Sequence, residues 1–196
     1  LIPSGILHPH TKCFIGNGVA LDLFGLKEEM DYVLQSGISL TPENLQISGN
    51  ATLVLPFHKE LDAAREVVNH IGTTKRGIGP AYEDRASRRA LLFRDLFLPN
   101  LKEKIELLLL EKNCLFEHLY KIPKIDAQKV HDEIVQLKEY FAPFVTHNLG
   151  ETMTAWLKDG KKILFEGAQG ALLDIFHGSY PYVTSSSTIS ASACLG

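Results

Sequence analysis

The first 70 positions of this chain alternate between two spacings of hydrophobic and polar residues. Short apolar runs in "KCFIGNGVAL" (12–21), "LQIS" (45–48) and "ATLVLP" (51–56) predict strands, and the last of them is almost wholly apolar, as in a buried strand of a largely parallel sheet. Between the first two, apolar residues recur at helical spacing, with a suitable glycine terminator after them: Leu23, Leu26, Met30, Val33, Leu34 and then Gly37. A second helix is predicted over 57–70.

Beyond Pro80 the pattern is almost continuously helical. Apolar residues recur at spacings of three and four in four successive stretches, with prolines near the breaks: 82–97, 100–120, 126–145 and 148–160. The short apolar run "KKILFEGAQG" (161–170) then predicts a return to a strand and a glycine-bounded loop. This order predicts an α/β fold with an open, mostly parallel sheet and a largely helical insertion.

Three segments follow from this order. Residues 1–80 form an α/β core segment that ends in a mobile glycine-rich loop, residues 81–159 form a helical subdomain, and residues 160–196 return to the α/β core. The chain starts without Met and stops in a run of small residues, so we expect an internal piece of a longer protein.

Composition narrows the class of protein. The chain has 196 residues, 45% hydrophobic and 22% charged, with a formal net charge of -3, which is typical of a soluble domain and gives no nucleic-acid signature. No apolar run approaches the roughly 20 residues that span a membrane, and the first residues lack the pattern of a signal peptide. Cys13, Cys114 and Cys194 are far apart and form no CxxC pair. We therefore expect a cytoplasmic protein with free thiols and no metal site in this chain.

The loop after the predicted strand at 161–170 is the first candidate site, because open α/β sheets bind ligands beyond the carboxyl ends of their strands. The amide of Gln169 both donates and accepts, which suits a base edge or a ring carbonyl. A solvated glycine-rich turn is the alternative. Glu166 is either a ligand group or a carboxylate that caps backbone amides.

Two further stretches have the composition of anion-binding loops. "HGSYPYVTSSST" (177–188) has six Ser and Thr hydroxyls, which together with backbone amides can form a phosphate-binding concavity, although such runs are commonly surface loops. In "IGTTKRGIGP" (71–80), threonine hydroxyls, glycine amides and the Lys75-Arg76 pair suit a flexible loop that orders around an anionic ligand. That stretch fits neither GxxxxGK[ST] nor GxGxxG, and a mobile connector between helices is the alternative.

The arginines after this stretch are also candidates. If 82–97 is one helix, Arg85, Arg88 and Arg89 lie on about one turn, where their planar guanidinium groups suit phosphate or carboxylate. The alternative is a solvated helix face on which Glu83 and Asp84 pair with them.

The order of these motifs resembles the adenylosuccinate synthetase family. "LIPSGIL", "IGNGV", "LDAARE", "IGTTKRGIGPAYEDRASRR" and "FEGAQGALLDIFHGSYPYVTSS" follow one another as in that family, over essentially the whole chain. The resemblance implies purine nucleotide biosynthesis by GTP-dependent ligation of IMP and L-aspartate, through a 6-phosphoryl-IMP intermediate, by a homodimer that requires Mg2+.

Site residues follow from the resemblance by position. Thr74 and Thr184 match residues that hold the IMP 5′-phosphate, and Gln169 matches the amide that reads the hypoxanthine ring and supports the developing oxyanion. Arg88 matches an arginine that reaches the IMP of the partner subunit. The loop at 71–80 is then one that closes over nucleotide and is mobile when empty.

The resemblance also implies what this chain lacks. The family's GDEGKGK loop, with its catalytic aspartate and a metal ligand, and the nearby catalytic histidine lie before Leu1. The aspartate and guanine segments lie after Gly196, so the chain alone is expected to be inactive. Lys75 and Phe176 stand where the family more often has glycine and aspartate, and "SSSTISASACLG" departs from the usual continuation. The alternatives are a non-catalytic nucleotide-binding or dimerisation module, and another nucleotide-dependent ligase with a Walker loop upstream.

Overall fold

The computed structural model describes residues 2–195, so Leu1 and Gly196 lie outside the described residues. The described strands are β1 (Cys13–Ile15), β2 (Ala20–Asp22), β3 (Leu45–Ser48), β4 (Thr52–Val54) and β5 (Val145–Thr146). The α-helices are α1 (Leu23–Gln35), α2 (Pro56–Asn69), α3 (Ile78–Ala86), α4 (Leu101–Cys114), α5 (Ala127–Val135), α6 (Lys138–Phe141) and α7 (Leu149–Lys158). A π-helical segment, Leu115–Tyr120, extends α4, and short 3-10 helices cover Ser4–Leu7, Phe93–Phe97, Ala142–Phe144, Ala171–Leu173 and Ser190–Leu195.

The described strands form two small parallel sheets. One has the order β1-β3-β5, with Ile15 opposite Ile47 and Ile47 opposite Val145, and the other pairs β2 with β4. Every pairing between these strands is parallel, and neither sheet closes on itself. The predicted open, mostly parallel sheet with a largely helical insertion is confirmed.

The predicted terminator of the first helix is also confirmed. Leu23, Leu26 and Met30 of α1 are buried, and the helix ends just before Gly37, whose φ of 82° lies in the left-handed region. The amide of Ile38 donates to the carbonyl of Val33 at 3.2 Å and closes the last turn.

One hydrophobic core joins the sheets to the helical insertion. Leu45 and Leu53 from the strands, Phe57 from α2 and Ile105 from α4 are fully buried within it. Burying each such side chain contributes about 1.5–3 kcal/mol to stability. Because this core is shared, the division into segments 1–80, 81–159 and 160–196 stays a prediction.

The predicted strand at 161–170 is not formed. Residues 161–167 have no regular secondary structure, and Leu164 and Phe165 are 89% and 51% exposed. A strand needs a neighbour that accepts and donates its ladder hydrogen bonds, and no strand within residues 2–195 pairs with this segment. The apolar run alone therefore does not produce a strand here.

The single helix predicted over 82–97 is also wrong. Helix α3 ends at Ala86, Arg88 has a φ of 64°, and Leu92 is extended and forms an antiparallel bridge with Thr52 before the 3-10 turn at Phe93–Phe97. The Ser87 hydroxyl donates to the carbonyl of Asp84 at 3.0 Å, a local bond that competes with continuation of the helix.

Candidate functional site

The glycine-rich loop (71–77) connects α2 to α3 and is held by two carboxylates of α2. Glu66, which is half-buried, accepts hydrogen bonds from the amides of Gly72 at 2.7 Å and Thr73 at 3.2 Å. Asp62 accepts from the amide of Gly77 at 2.9 Å. The amide of Gly77, predicted to be available to a ligand, is therefore already bonded, whereas the amide of Gly79 lies in the first turn of α3, where amides have no acceptor within the helix.

Gly77 sits where no other residue fits. Its φ is 76°, and a Cβ atom there would lie 2.8 Å from the carbonyl carbon of His58 and 2.8 Å from the amide nitrogen of Lys59. The end of the loop therefore packs directly on the first turn of α2.

Thr74 and Lys75 form the outer part of the same loop. Thr74 is exposed, and no hydrogen bond of its hydroxyl occurs within residues 2–195. Lys75 has a φ of 55°, a conformation that costs a residue with a Cβ about 1–2 kcal/mol. This strain gives a physical reason for the glycine that the resemblance leads us to expect at the position of Lys75.

A buried carboxylate organises the hydroxyl-rich loop (174–189). Asp174 has no exposed surface. It accepts from the backbone amides of Phe176, His177, Thr188 and Ile189 and from the Ser187 hydroxyl, at 2.6–3.3 Å. Burial raises the pKa of Asp174, but these hydrogen bonds outweigh burial and hold the pKa well below its usual range. These amides and this hydroxyl, which could have bound an anion, are bonded to a carboxylate of the chain itself, and a phosphate site in this stretch stays a prediction.

Thr184 and Phe176 lie in this loop, and the divergent run from Ser185 begins in it. The amide of Thr184 donates to the carbonyl of Leu173 at 2.9 Å, while the Phe176 side chain is 83% exposed and contributes only its amide to Asp174. The divergent run from Ser185 onwards supplies donors to Asp174 and then forms the 3-10 helix Ser190–Leu195.

The two loops approach each other at one point. A Cβ added to Gly79, in the first turn of α3, would lie 3.0 Å from the hydroxyl oxygen of Ser185. Ser185 directly follows Thr184, and Gly79 lies five positions after Thr74. The fold therefore brings the two stretches that carry the predicted phosphate residues together.

Gln169 and Glu166 have different surroundings. Gln169 is exposed with a φ of 62°, and its side chain makes no hydrogen bond to another described residue. Glu166 accepts from both the amide and the hydroxyl of Ser4 at 2.9 Å, which favours the capping alternative over a free ligand group. Thr188 donates to the carbonyl of Gly170 at 2.8 Å and ties the segment of Gln169 to the hydroxyl-rich loop.

The arginines do not share a helix face. Arg85 donates to the carbonyl of Asn50 at 3.1 Å, and Arg89 pairs with Glu111. Arg88 is exposed beyond the end of α3, and within residues 2–195 its guanidinium has no hydrogen bond or ion pair. Of the three, Arg88 is the one available to a ligand or a partner.

A buried polar triad lies behind these arginines. Asp84 contacts His58 Nε2 at 3.1 Å and Lys112 Nζ at 2.7 Å, and the three side chains are 0–1% exposed. Burial lowers the pKa of His58 and outweighs the opposing effect of Asp84. Because the amide of Leu55 donates to His58 Nδ1 at 2.9 Å, the imidazole is neutral and donates through Nε2.

Sequence reasoning missed Asp174, Glu66 and the buried triad. Asp174 gave one signal, since it is a lone acid within the apolar stretch "ALLDIF". Lys112 gave none, because its partner Asp84 lies 28 positions earlier in the chain.

The three cysteines take no part in the site. Cys13 is buried, Cys114 and Cys194 are exposed, and all three are free thiols, as predicted. Burial raises the pKa of Cys13, and the nearby charge of Glu166 adds to this shift.

Across residues 2–195, no three His, Cys, Asp or Glu side chains group as metal ligands. No helix of that part is long and apolar enough to cross a membrane.

An open parallel sheet with a helical insertion and adjoining amide-rich loops places the chain in the class of open-sheet α/β proteins, which carry their ligand sites on loops beyond the strands. The sequence model of the adenylosuccinate synthetase family matches residues 1–196, and the chain belongs to that family.

Individual relatives agree with this assignment. The chain is 50% identical to the adenylosuccinate synthetase of Bdellovibrio bacteriovorus over 99% of its own length, and 46% identical to that of Carboxydothermus hydrogenoformans over 100%. The solved structure of fully ligated adenylosuccinate synthetase from Plasmodium falciparum matches all of the chain with a TM-score of 0.86 at 30% identity. The chain spans 46% of the length of each of these three proteins.

Proposed function

We propose that this chain is part of an adenylosuccinate synthetase, a cytoplasmic homodimer that ligates IMP and L-aspartate with GTP in purine biosynthesis. The match of the family over residues 1–196 carries this proposal. Because the chain spans 46% of its relatives, we further propose that it supplies much of the IMP site and has no activity alone.

Thr74 and Thr184 are proposed to hold the IMP 5′-phosphate. The short distance between the Ser185 hydroxyl and a Cβ atom added to Gly79, 3.0 Å, supports this, because these residues belong to the two stretches that carry the threonines. The exposed Thr74 hydroxyl can turn to a phosphate oxygen without losing an internal hydrogen bond. Backbone rotation at Gly72, which has open space around it, would let the loop close over the nucleotide.

Gln169 is proposed to stabilise the oxyanion that develops at the 6-position of IMP when GTP phosphorylates it. A neutral amide donor suits this role, whereas a carboxylate would oppose the charge. Gln169→Glu should therefore lower turnover more than IMP affinity, and steady-state kinetics beside direct IMP titration separate the two. Gln136→Glu, an exposed change of the same kind, is the control. Intact turnover with weakened IMP binding would make Gln169 a binding residue only.

The Mg2+ that the family reaction requires is not assigned to this chain. Residues 2–195 bring no three ligating side chains together, so they do not fit a metal centre of their own. The proposed work of this chain is positioning: it binds the IMP phosphate, orients the base and supplies a donor near the 6-oxygen.

Arg88 offers the direct test of the proposal in the full-length protein. Arg88→Leu should weaken IMP binding by about 2–5 kcal/mol, since it removes a charge-assisted phosphate contact. Isothermal titration with IMP measures this change. Arg94→Leu is the matched control, because Arg94 is also an exposed arginine but is engaged with Asn50. An unchanged IMP dissociation constant in Arg88→Leu would refute the assignment.

Mixed dimers test whether Arg88 acts across the subunit interface. Arg88→Leu subunits mixed with Thr74→Ala subunits should regain intact IMP sites, because one site of each heterodimer then combines a native Thr74 with a native Arg88. No recovery in demonstrated heterodimers would mean that both residues serve the site of their own subunit.

A further inference from the structure

One carbonyl group holds the turn that carries Arg88. The main-chain oxygen of Asp84 accepts from the amides of Arg89 at 2.9 Å and Ala90 at 3.1 Å and from the Ser87 hydroxyl at 3.0 Å. Within this turn Arg88 has a φ of 64°. A left-handed conformation is unfavourable for arginine, so these three bonds, together with one from the Arg88 amide to the carbonyl of Arg85 at 3.0 Å, keep the turn in place.

The side chain of Asp84 fixes the same residue to two other helices. His58 belongs to α2 and Lys112 to α4, and both contact the carboxylate in the absence of solvent. Helix ends ordinarily fray, but here the last turn of α3 is attached to the core by a buried ion pair. Such a pair adds little net stability compared with apolar packing, whereas it can specify one conformation.

Asp84 and Arg88 differ in their exposure to solvent. Asp84 is fully buried, whereas Arg88, four positions later, is exposed and free of other bonds within the described residues. The neighbouring Arg89 pairs with Glu111 and also lies 3.8 Å from the Asp84 carboxylate. The turn therefore presents a single unengaged guanidinium at a place that the core determines.

From this arrangement we infer that Asp84, held by His58 and Lys112, is a positioning residue that sets the placement of Arg88 for binding the phosphate of IMP. The inference rests on the proposed function of Arg88. It assigns to the buried triad a role in ligand affinity beyond its role in packing.

A double-mutant cycle in the full-length protein tests the inference. Asp84→Asn should weaken IMP binding about five- to twentyfold, and in an Arg88→Leu background it should cause no further loss, because Asp84 acts through Arg88. Titrations are made well below the unfolding temperature, with the folded fraction checked by circular dichroism. A purely structural role for Asp84 would give the same loss of affinity in both backgrounds and would overturn the inference.

The matched control is Asp95→Asn. Asp95 is also a buried carboxylate with a lysine partner, at 2.7 Å from Lys104, and it caps the amide of Leu92 at 2.8 Å. It should lower thermal stability and leave IMP affinity unchanged. Equal losses of affinity in Asp95→Asn and Asp84→Asn would also overturn the inference.

Ser87→Ala keeps the test decisive if Asp84→Asn does not fold. This exposed substitution removes the hydroxyl bond to the Asp84 carbonyl and the bond that the hydroxyl accepts from Arg89 Nε at 3.0 Å, and it should weaken IMP binding about twofold with Arg88 present and not at all in Arg88→Leu. Equal effects in both backgrounds would again refute the inference. If Arg88→Leu alone leaves IMP affinity unchanged, the proposed function of Arg88 is wrong, and the role of Asp84 fails with it.

Discussion

The glycine-rich loop, held at its ends by Glu66 and Asp62, and the hydroxyl-rich loop, built around Asp174, both depend on carboxylates, but to different degrees. Glu66 is half-buried and holds two amides of the first loop, leaving Thr74 exposed. Asp174 is fully buried and gathers five donors of the second. A loop held at its edges can rearrange, whereas a loop built around a buried charge is a fixed surface. One wall of the proposed phosphate site is thus preformed, and the other can move.

Removing the buried charge should have the largest effect. Asp174→Ala leaves four backbone amides and one hydroxyl without their acceptor, so the amides of Thr188 and Phe176 should exchange with solvent about a hundredfold faster or more. Hydrogen exchange followed by mass spectrometry measures this. Asp126→Ala, which removes a single bond to the amide of Gln128, is a control expected to act only locally. Native exchange rates in Asp174→Ala would mean that the hydroxyl-rich loop does not depend on this charge.

Adding one methyl group to the glycine-rich loop should destabilise the protein more at Gly77 than at Gly72. Gly77→Ala forces a Cβ atom against the backbone of α2 in a left-handed conformation and should cost about 2–4 kcal/mol of unfolding free energy. Gly72→Ala also has a positive φ, 86°, but no atom lies within 4 Å of its Cβ, so about 1 kcal/mol is expected. Urea denaturation of both variants compares them, and equal losses would contradict the close packing at Gly77.

Lowering the pH should release the glycine-rich loop before the hydroxyl-rich loop. Hydrogen bonds from the amides of Gly72 and Thr73 lower the pKa of Glu66, while the donors around Asp174 lower its pKa much further. Each carboxylate stabilises its loop above the pKa of the unfolded state and loses this contribution as the pH falls through the lower folded pKa. The carboxyl 13C shift of Glu66 should therefore titrate at a higher pH than that of Asp174. The reverse order would contradict the comparison.

Removing the charge of Glu66 should have the smallest effect on the protein as a whole. Glu66→Gln should speed the exchange of the Gly72 and Thr73 amides about threefold to tenfold and change the unfolding free energy by less than about 1 kcal/mol. Glu60→Gln, an exposed change on the same helix, is the control. Unchanged amide exchange would show that Glu66 does not hold the loop.

Local patterns were sufficient for much of the fold. The apolar spacing predicted α1 and its end at Gly37, and the short apolar runs predicted β1, β3 and β4, because these elements depend on side chains a few positions apart. The residues that resemble a known family then supplied Thr74, Thr184, Gln169 and Arg88, whose roles stay predictions.

Features that depend on distant partners could not be predicted in this way. The run at 161–166 has the composition of a strand, but whether it forms one depends on a neighbouring strand. The spacing of the arginines is that of a helix, so the sequence predicted that the helix continues. The Ser87 bond that competes with its continuation can be seen only in the structure. Lys112 looks like a solvated charge in "LLLLEKN" and is buried because Asp84 meets it from another helix.

The exposed run around Leu164 and Phe165 has a consequence for handling these 196 residues as a separate protein. An extended apolar segment with unpaired amides and carbonyls is a template for pairing between molecules. Lys161 and Lys162 oppose such pairing at one side, whereas on the other side the single charge of Glu166 is bonded to Ser4 and small residues follow it. Preparations of this chain alone should therefore become turbid as concentration and salt increase, and Leu164→Lys should keep them clear in light scattering.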